Sequence, residues 1–101
     1  MRFLFKISLP VKAGNAAAKD GFRAMQSILE QQKPEAAYFL AENRQRTAIL
    51  IMNMQDTSEI PAISEPWFLA LNAAIEVSPV MVPEDLQKAA SAIAQAVKTY
   101  G

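Results

Sequence analysis

Few side chains in this sequence have a chemistry of their own, and the clearest are arginines and asparagines near the middle of the chain. Arg44 and Arg46 flank a polar turn, where their guanidinium groups could bind a carboxylate or remain solvated as turn charges. Asn53 lies in an otherwise apolar segment, so its amide needs a partner, either in a site or at a turn or strand edge. None of these residues is a predicted catalytic group.

Composition removes most classes of reaction. The chain has no cysteine and no histidine, so it lacks a thiolate nucleophile, a thiolate metal site and the commonest general base. It also contains no phosphate-binding loop, paired carboxylate motif, metal-spaced cluster or nucleophile elbow. Glu84 and Asp85 are interpreted as complementing a helix dipole. We therefore predict no metal and no cofactor.

Length and charge limit the organisation and the partners. A chain of 101 residues, 51% of them hydrophobic, predicts one domain over residues 1–101. Ten basic residues balance ten acidic ones, and no basic run is interleaved with aromatics, so no nucleic acid partner is predicted. No apolar stretch is long enough for a membrane span, and no signal peptide is recognisable. The expected location is cytoplasmic.

Alternation of apolar side chains predicts four strands. The third is apolar on both faces, so it should be central in a sheet, whereas Pro79 places the fourth at an edge. Asn43-Arg44-Gln45 is the predicted hairpin turn between the second and third strands. The predicted strands cover residues 2–9, 36–42, 46–54 and 73–81.

Three helices are predicted between and after these strands. The first begins with Asn15 as its N-cap and continues through Gly21, which we interpret as a point of close packing on the sheet. The second begins near Asp56 and ends near Ser64, because proline at position 66 is not tolerated in a helix interior. The last begins at Pro83, a residue suited to the first helical position.

This order of elements predicts an α+β fold. Strand, helix, strand, strand, helix and strand form a ferredoxin-like β-α-β-β-α-β sandwich with sheet order 4-1-3-2 and an additional C-terminal helix. That order places the first and third strands centrally and the fourth at an edge, as their residue types require.

One face of such a sheet lacks a helical cover, and this predicts a homodimer. Either the final helix folds under its own sheet or a second copy packs face to face, and we favour the second arrangement. The uncovered face is expected to display one of two opposite sets of side chains, both largely apolar. The first of these is Leu4, Tyr38, Leu40, Leu50 and Met52.

The order of elements, the apolar open face and two adjoining segments resemble the dimeric α/β-barrel superfamily, most of all its small uncharacterised members. The segments are Glu65-Pro66-Trp67-Phe68-Leu69-Ala70-Leu71-Asn72 and Ile75-Glu76-Val77-Ser78-Pro79-Val80, and the resemblance extends over residues 1 to about 82. The superfamily includes cofactor-independent antibiotic-biosynthesis monooxygenases, haem-degrading enzymes and muconolactone isomerase-like proteins. The absence of histidine argues against haem ligation and histidine-based proton transfer.

The resemblance implies two functional hypotheses. The first is a homodimer that binds a small apolar or aromatic ligand between sheet and helices. The alternative is a cofactor-independent monooxygenase or isomerase of the antibiotic-biosynthesis monooxygenase type, in which Trp67 and an asparagine at position 43, 53 or 72 hold an aromatic substrate. Trp67 could equally anchor its helix on the core. The ligand-binding candidates are Trp67, Asn53, Asn72 and Tyr38.

Overall fold

Four antiparallel strands and five helices make up the structure, a computed structural model that describes residues 1–101. The strands are β1 (Arg2–Leu9), β2 (Ala36–Glu42), β3 (Gln45–Asn53) and β4 (Ala74–Val80). The helices are α1 (Val11–Lys19), α2 (Arg23–Gln32), α3 (Glu59–Leu71), α4 (Pro83–Lys88) and α5 (Ala90–Tyr100).

The strands form one open sheet in the order β2-β3-β1-β4. This confirms the predicted α+β fold and strand order, and the arrangement is compatible with a ferredoxin-like fold. β4 pairs only with β1 and carries Pro79, whose missing N–H is tolerated at an edge. The β2–β3 hairpin turns at Asn43 and Arg44, which have φ angles of 50° and 63°. Positive φ at both positions matches the twist of paired strands without the usual glycine.

The core lies between α1–α3 and one face of the sheet. Phe5 and Ile7 of β1, Leu50 of β3 and Trp67 of α3 are fully shielded from solvent. Burying an apolar side chain of this size contributes roughly 1.5–3 kcal/mol. The other buried apolar side chains are Phe3, Leu9, Ala17, Ile28, Ala48, Met52, Met54 and Leu71.

The first predicted helix is in fact two helices, so the interpretation of Asn15 as an N-cap and of Gly21 as a packing point was wrong. α1 begins directly after Pro10 and contains Asn15, which is therefore not an N-cap. Gly21 has a φ of 74° and open space around it, so it marks the break between α1 and α2. Gly14 is instead the closely packed glycine, because a Cβ there would lie 2.9 Å from Nη1 of Arg46.

The second predicted helix was too short, since α3 continues through Pro66 to Leu71. Proline removes one helical hydrogen bond, to the carbonyl four residues earlier. That carbonyl belongs to Ala62, which is exposed to solvent. Burial of Trp67 and Leu71 on the sheet side holds the helix together beyond the proline.

The register corrects the predicted open face, which combined residues of both faces. Leu50 pairs with Phe5 and Met52 with Phe3, so both belong to the buried face. Residues directly opposite each other share a face. The open face instead carries a different set of apolar side chains. These are Leu4 from β1, Tyr38 and Leu40 from β2, and Ile49 and Ile51 from β3.

Helices α4 and α5 extend away from the sheet as a C-terminal arm, residues 83–101. No residue of either helix is buried, and the main neighbour of α5 is α4. The radius of gyration is 17.2 Å, against about 13 Å for a compact chain of 100 residues. In this structure the last helix therefore does not cover its own sheet. Its exposed apolar side chains are Ile93, Val97 and Tyr100.

Candidate functional site

An open groove with a volume of about 630 Å³ lies between α2 and the β2–β3 hairpin. It exists because no helix packs extensively on β2, which leaves Phe39 of that strand 56% exposed. Its volume is within the usual range for small-molecule sites. The residues that line it are Leu9, Phe22, Met25, Gln26, Leu29, Phe39, Leu40, Ala41, Arg46, Thr47 and Ala48.

Arg46 is the one charged residue of the groove. Its Nη1 donates a hydrogen bond to Oδ1 of Asn15 in α1 at 3.0 Å. The ion pairs of the structure join Arg2 to Glu35 and Lys6 to Glu42, so no carboxylate neutralises Arg46. An apolar groove with one cationic end can accept a molecule that has an apolar body and an anionic or polar end.

The position of the Arg46 guanidinium depends on the shape of α1. Gly14 is buried in that helix and leaves room for the guanidinium where any other residue would carry a Cβ. Asn15, the next residue, supplies the hydrogen-bond acceptor. Packing against Gly14 and the hydrogen bond to Asn15 thus orient the Arg46 guanidinium from one side. The remaining N–H groups of Arg46 make no hydrogen bond to protein side chains.

The four predicted ligand-binding residues lie in separate places, and none of them lines this groove. Trp67 is fully buried, and its Nε1 donates to Oε1 of Gln32 at 3.2 Å. Asn53 is exposed at the end of β3, where its Oδ1 accepts a hydrogen bond of 3.3 Å from the N-terminal amine. Tyr38 is 64% exposed on the open sheet face.

Asn72 lines a second, smaller cavity of about 250 Å³ between α1 and the end of α3. It follows the last residue of α3 with a φ of 52°, a conformation that terminates helices and that asparagine tolerates well. The other lining side chains are mostly small, namely Ala13, Ala16, Ala17, Ala24 and Ala70, with Asp20, Leu69 and Leu71. Assignment of Trp67, Asn53, Asn72 and Tyr38 to a ligand remains a prediction.

Lys6 lies on the open sheet face, opposite Ile49 of β3. Its Nζ contacts Oε1 of Glu42 at 2.5 Å, and Glu76 is its cross-strand neighbour. The hydrogen bond to Glu42 raises the pKa of Lys6, and the charges of both carboxylates act in the same direction. The open face is therefore apolar on β2 and β3 around Ile49 and charged around Lys6, where Glu42 and Glu76 lie beside the ammonium group.

Sequence reasoning found some parts of the groove but not the groove itself. It considered Arg46, beside the polar turn, as a ligand for a carboxylate. It missed that β2 lacks a helical cover, which depends on where the broken α1–α2 segment crosses the sheet. The positive φ angles of Gly21 and Phe22 set that crossing, and only the glycine was visible as a signal.

The chain belongs to the DUF3303 family, described as a domain of unknown function, whose model matches residues 1–94. The match covers the sheet, the groove and the start of α5. No curated protein matches the chain. None of the helices combines the length and apolarity needed to cross a membrane. The family therefore supplies no activity for the groove, and the monooxygenase or isomerase hypothesis remains a prediction.

Proposed function

We propose that this protein is a homodimeric binding domain for a small apolar or aromatic molecule held between its sheet and its helices. The observation that carries the proposal is the 630 Å³ groove, whose lining is mostly apolar and includes Phe22 and Phe39. Covering such side chains with an apolar ligand gains roughly 25 cal/mol for each Å² removed from water. Aromatic ligands gain further from offset or edge-on packing against these rings.

Binding can be tested with 2-naphthalenemethanol, a neutral aromatic probe, by NMR titration of the ¹⁵N-labelled protein. Shifts are expected at α2 and the β2–β3 hairpin, with saturation between micromolar and millimolar concentrations. Ala41→Trp should abolish them, because Ala41 is exposed at the groove and a larger side chain there occupies it. Ala37→Trp is the matched control, since Ala37 is also exposed on β2 but does not line the groove. Equal binding by both variants would contradict the proposal.

The dimeric part of the proposal is supported by two unpartnered apolar surfaces. One is the open sheet face, and the other is the C-terminal arm with Leu86, Ile93 and Val97 each more than half exposed. A two-fold axis through the open face would cover both sheets and bring each arm near the other copy, as in a dimeric α/β barrel. Such an interface should bury more than about 1,000 Å².

Sedimentation equilibrium at micromolar concentration tests this arrangement. We expect a mass of twice 11.1 kDa for the full chain. A chain ending at residue 82 should associate more weakly and lose solubility. Ile49→Glu, on the open face, should give a folded monomer because a charge in the interface costs several kcal/mol. A full-length chain that stays monomeric at every concentration would contradict the dimer but leave the groove proposal intact.

A further inference from the structure

The polar end of the groove is basic, and its hydrogen-bond donors are only partly used. Arg46 uses Nη1 for Asn15, and its Nε and second terminal nitrogen make no hydrogen bond to a side chain. These two nitrogens form the edge of a guanidinium that binds a carboxylate through two parallel hydrogen bonds. No acidic residue lines the groove, so a bound anion would meet no repulsion from its walls.

The apolar surface begins at the next residue pair on the same face of the β2–β3 hairpin. Arg46 is opposite Ala41, and Ala48 is opposite Phe39 on the same face. Two residues along an antiparallel strand span about 7 Å, which is about the length of a ring with a carboxylate attached. Phe39 is half exposed and lies two residues along β2 from Ala41, the residue opposite Arg46.

We propose that the groove selects small monocarboxylates with an aromatic or short aliphatic body, held by Arg46 at the carboxylate and by Phe39 along the body. This inference rests on the proposed ligand-binding function and specifies its ligand class. Asn15 and Gly14 are positioning residues, since they orient the guanidinium without contacting the ligand.

The test compares 2-naphthoate with 2-naphthalenemethanol, which share their ring system and differ in the charged group. The wild-type protein should bind the carboxylate roughly tenfold more tightly than the alcohol. Arg46→Gln should remove this preference while leaving the affinity for the alcohol within about twofold. Arg44→Gln is the matched control: Arg44 lies in the adjoining turn, is exposed and does not line the groove.

Each outcome has a distinct meaning. A tenfold loss confined to the carboxylate and to Arg46→Gln supports the inference, and partial recovery in Arg46→Lys identifies the charge as one part of it. If the wild type binds both probes equally, carboxylate selection is wrong and the apolar groove function stands. Equal weakening of both probes by Arg46→Gln assigns the arginine a purely structural role and overturns the inference. Binding of neither probe contradicts the proposed function as well.

Discussion

The indole of Trp67 and the amide of Gln32 join α3 to the end of α2. Trp67 Nε1 donates to Gln32 Oε1 at 3.2 Å, and Gln32 Nε2 donates to the carbonyl of Ile63 at 2.8 Å. One amide therefore satisfies the only polar atom of a fully buried indole and also a helix carbonyl. This supports a structural role for Trp67, the alternative that its sequence position had left open.

Replacing Gln32 should therefore destabilise the fold. Gln32→Leu leaves the indole N–H without an acceptor, which we expect to lower the free energy of unfolding by about 1–3 kcal/mol. Gln31→Leu is the control, because Gln31 is exposed and its loss should change stability by no more than about 0.5 kcal/mol. Urea denaturation measures both. Equal midpoints would show that the hydrogen bonds contribute nothing.

Alanine at the two internal glycines should have opposite effects. Gly14→Ala gains up to about 1 kcal/mol of helix propensity, and its Cβ has to displace the exposed side chain of Arg46 from its hydrogen bond to Asn15 but no backbone atom. Gly21→Ala should lose about 1–2 kcal/mol, because it forces a side chain into a left-handed conformation with a φ of 74°. Thermal unfolding separates the two variants. Loss of stability in Gly14→Ala would mean that Arg46 cannot move aside.

A charge in the centre of the sheet should be far more damaging than a charge reversal at its edge. Leu50 is completely buried on β3, so Leu50→Asp should cost several kcal/mol and unfold much of the protein. Glu76 is exposed on β4 opposite Lys6. Glu76→Lys therefore places two like charges opposite each other, which should cost no more than about 1 kcal/mol. Circular dichroism with temperature compares them, and equal melting temperatures would contradict the register.

The ion pair of Lys6 should make stability fall at alkaline pH. The raised pKa of Lys6 means that the folded state holds this proton more tightly than the unfolded chain. The stabilisation is complete below the ordinary lysine pKa of about 10.4, and it is lost as pH rises through the higher folded pKa.

Lys6→Met should flatten this alkaline decline relative to the wild type. Lys12→Met is the control, since Lys12 is exposed on α1 and makes no ion pair. The free energy of unfolding from urea titrations between pH 7 and roughly pH 11 gives the comparison. A decline in Lys6→Met as steep as in the wild type would show that the pair is not coupled to folding.

Local sequence patterns were sufficient for the strands and their order because alternation and proline position act on each strand separately. The apolar character of β3 on both faces and Pro79 in β4 set the central and edge positions correctly. The helices were harder, since Gly21 is read equally well as a packing point or a break. Pro66 was misjudged because the burial of Trp67, a tertiary effect, outweighs the lost hydrogen bond.

The candidate site was less predictable than the fold. Its arginine could be suspected from the turn around Arg46, but Gly14 and Asn15 lie about thirty residues earlier, and no spacing rule connects them. The groove forms because no helix packs extensively on β2. A local sequence pattern does not indicate which strand will lack a helix over it. The prediction of the open face failed for a related reason. The register pairs Leu4 with Ile51 and Leu50 with Phe5, which places Leu4 and Leu50 on opposite faces of the sheet.

The central position of β1 also determines how the chain must fold as it is synthesised. β1 is made before the other three strands, yet its two neighbours are β3 and β4, and Val80, the partner of Arg2, belongs to the last of them. Pairings this distant in sequence slow folding. Until they form, Phe3, Leu4, Phe5 and Ile7 remain exposed in a segment of high strand propensity, interrupted only by Lys6. A nascent or truncated chain that lacks β4 therefore presents an unpaired apolar strand edge, which makes aggregation its main hazard.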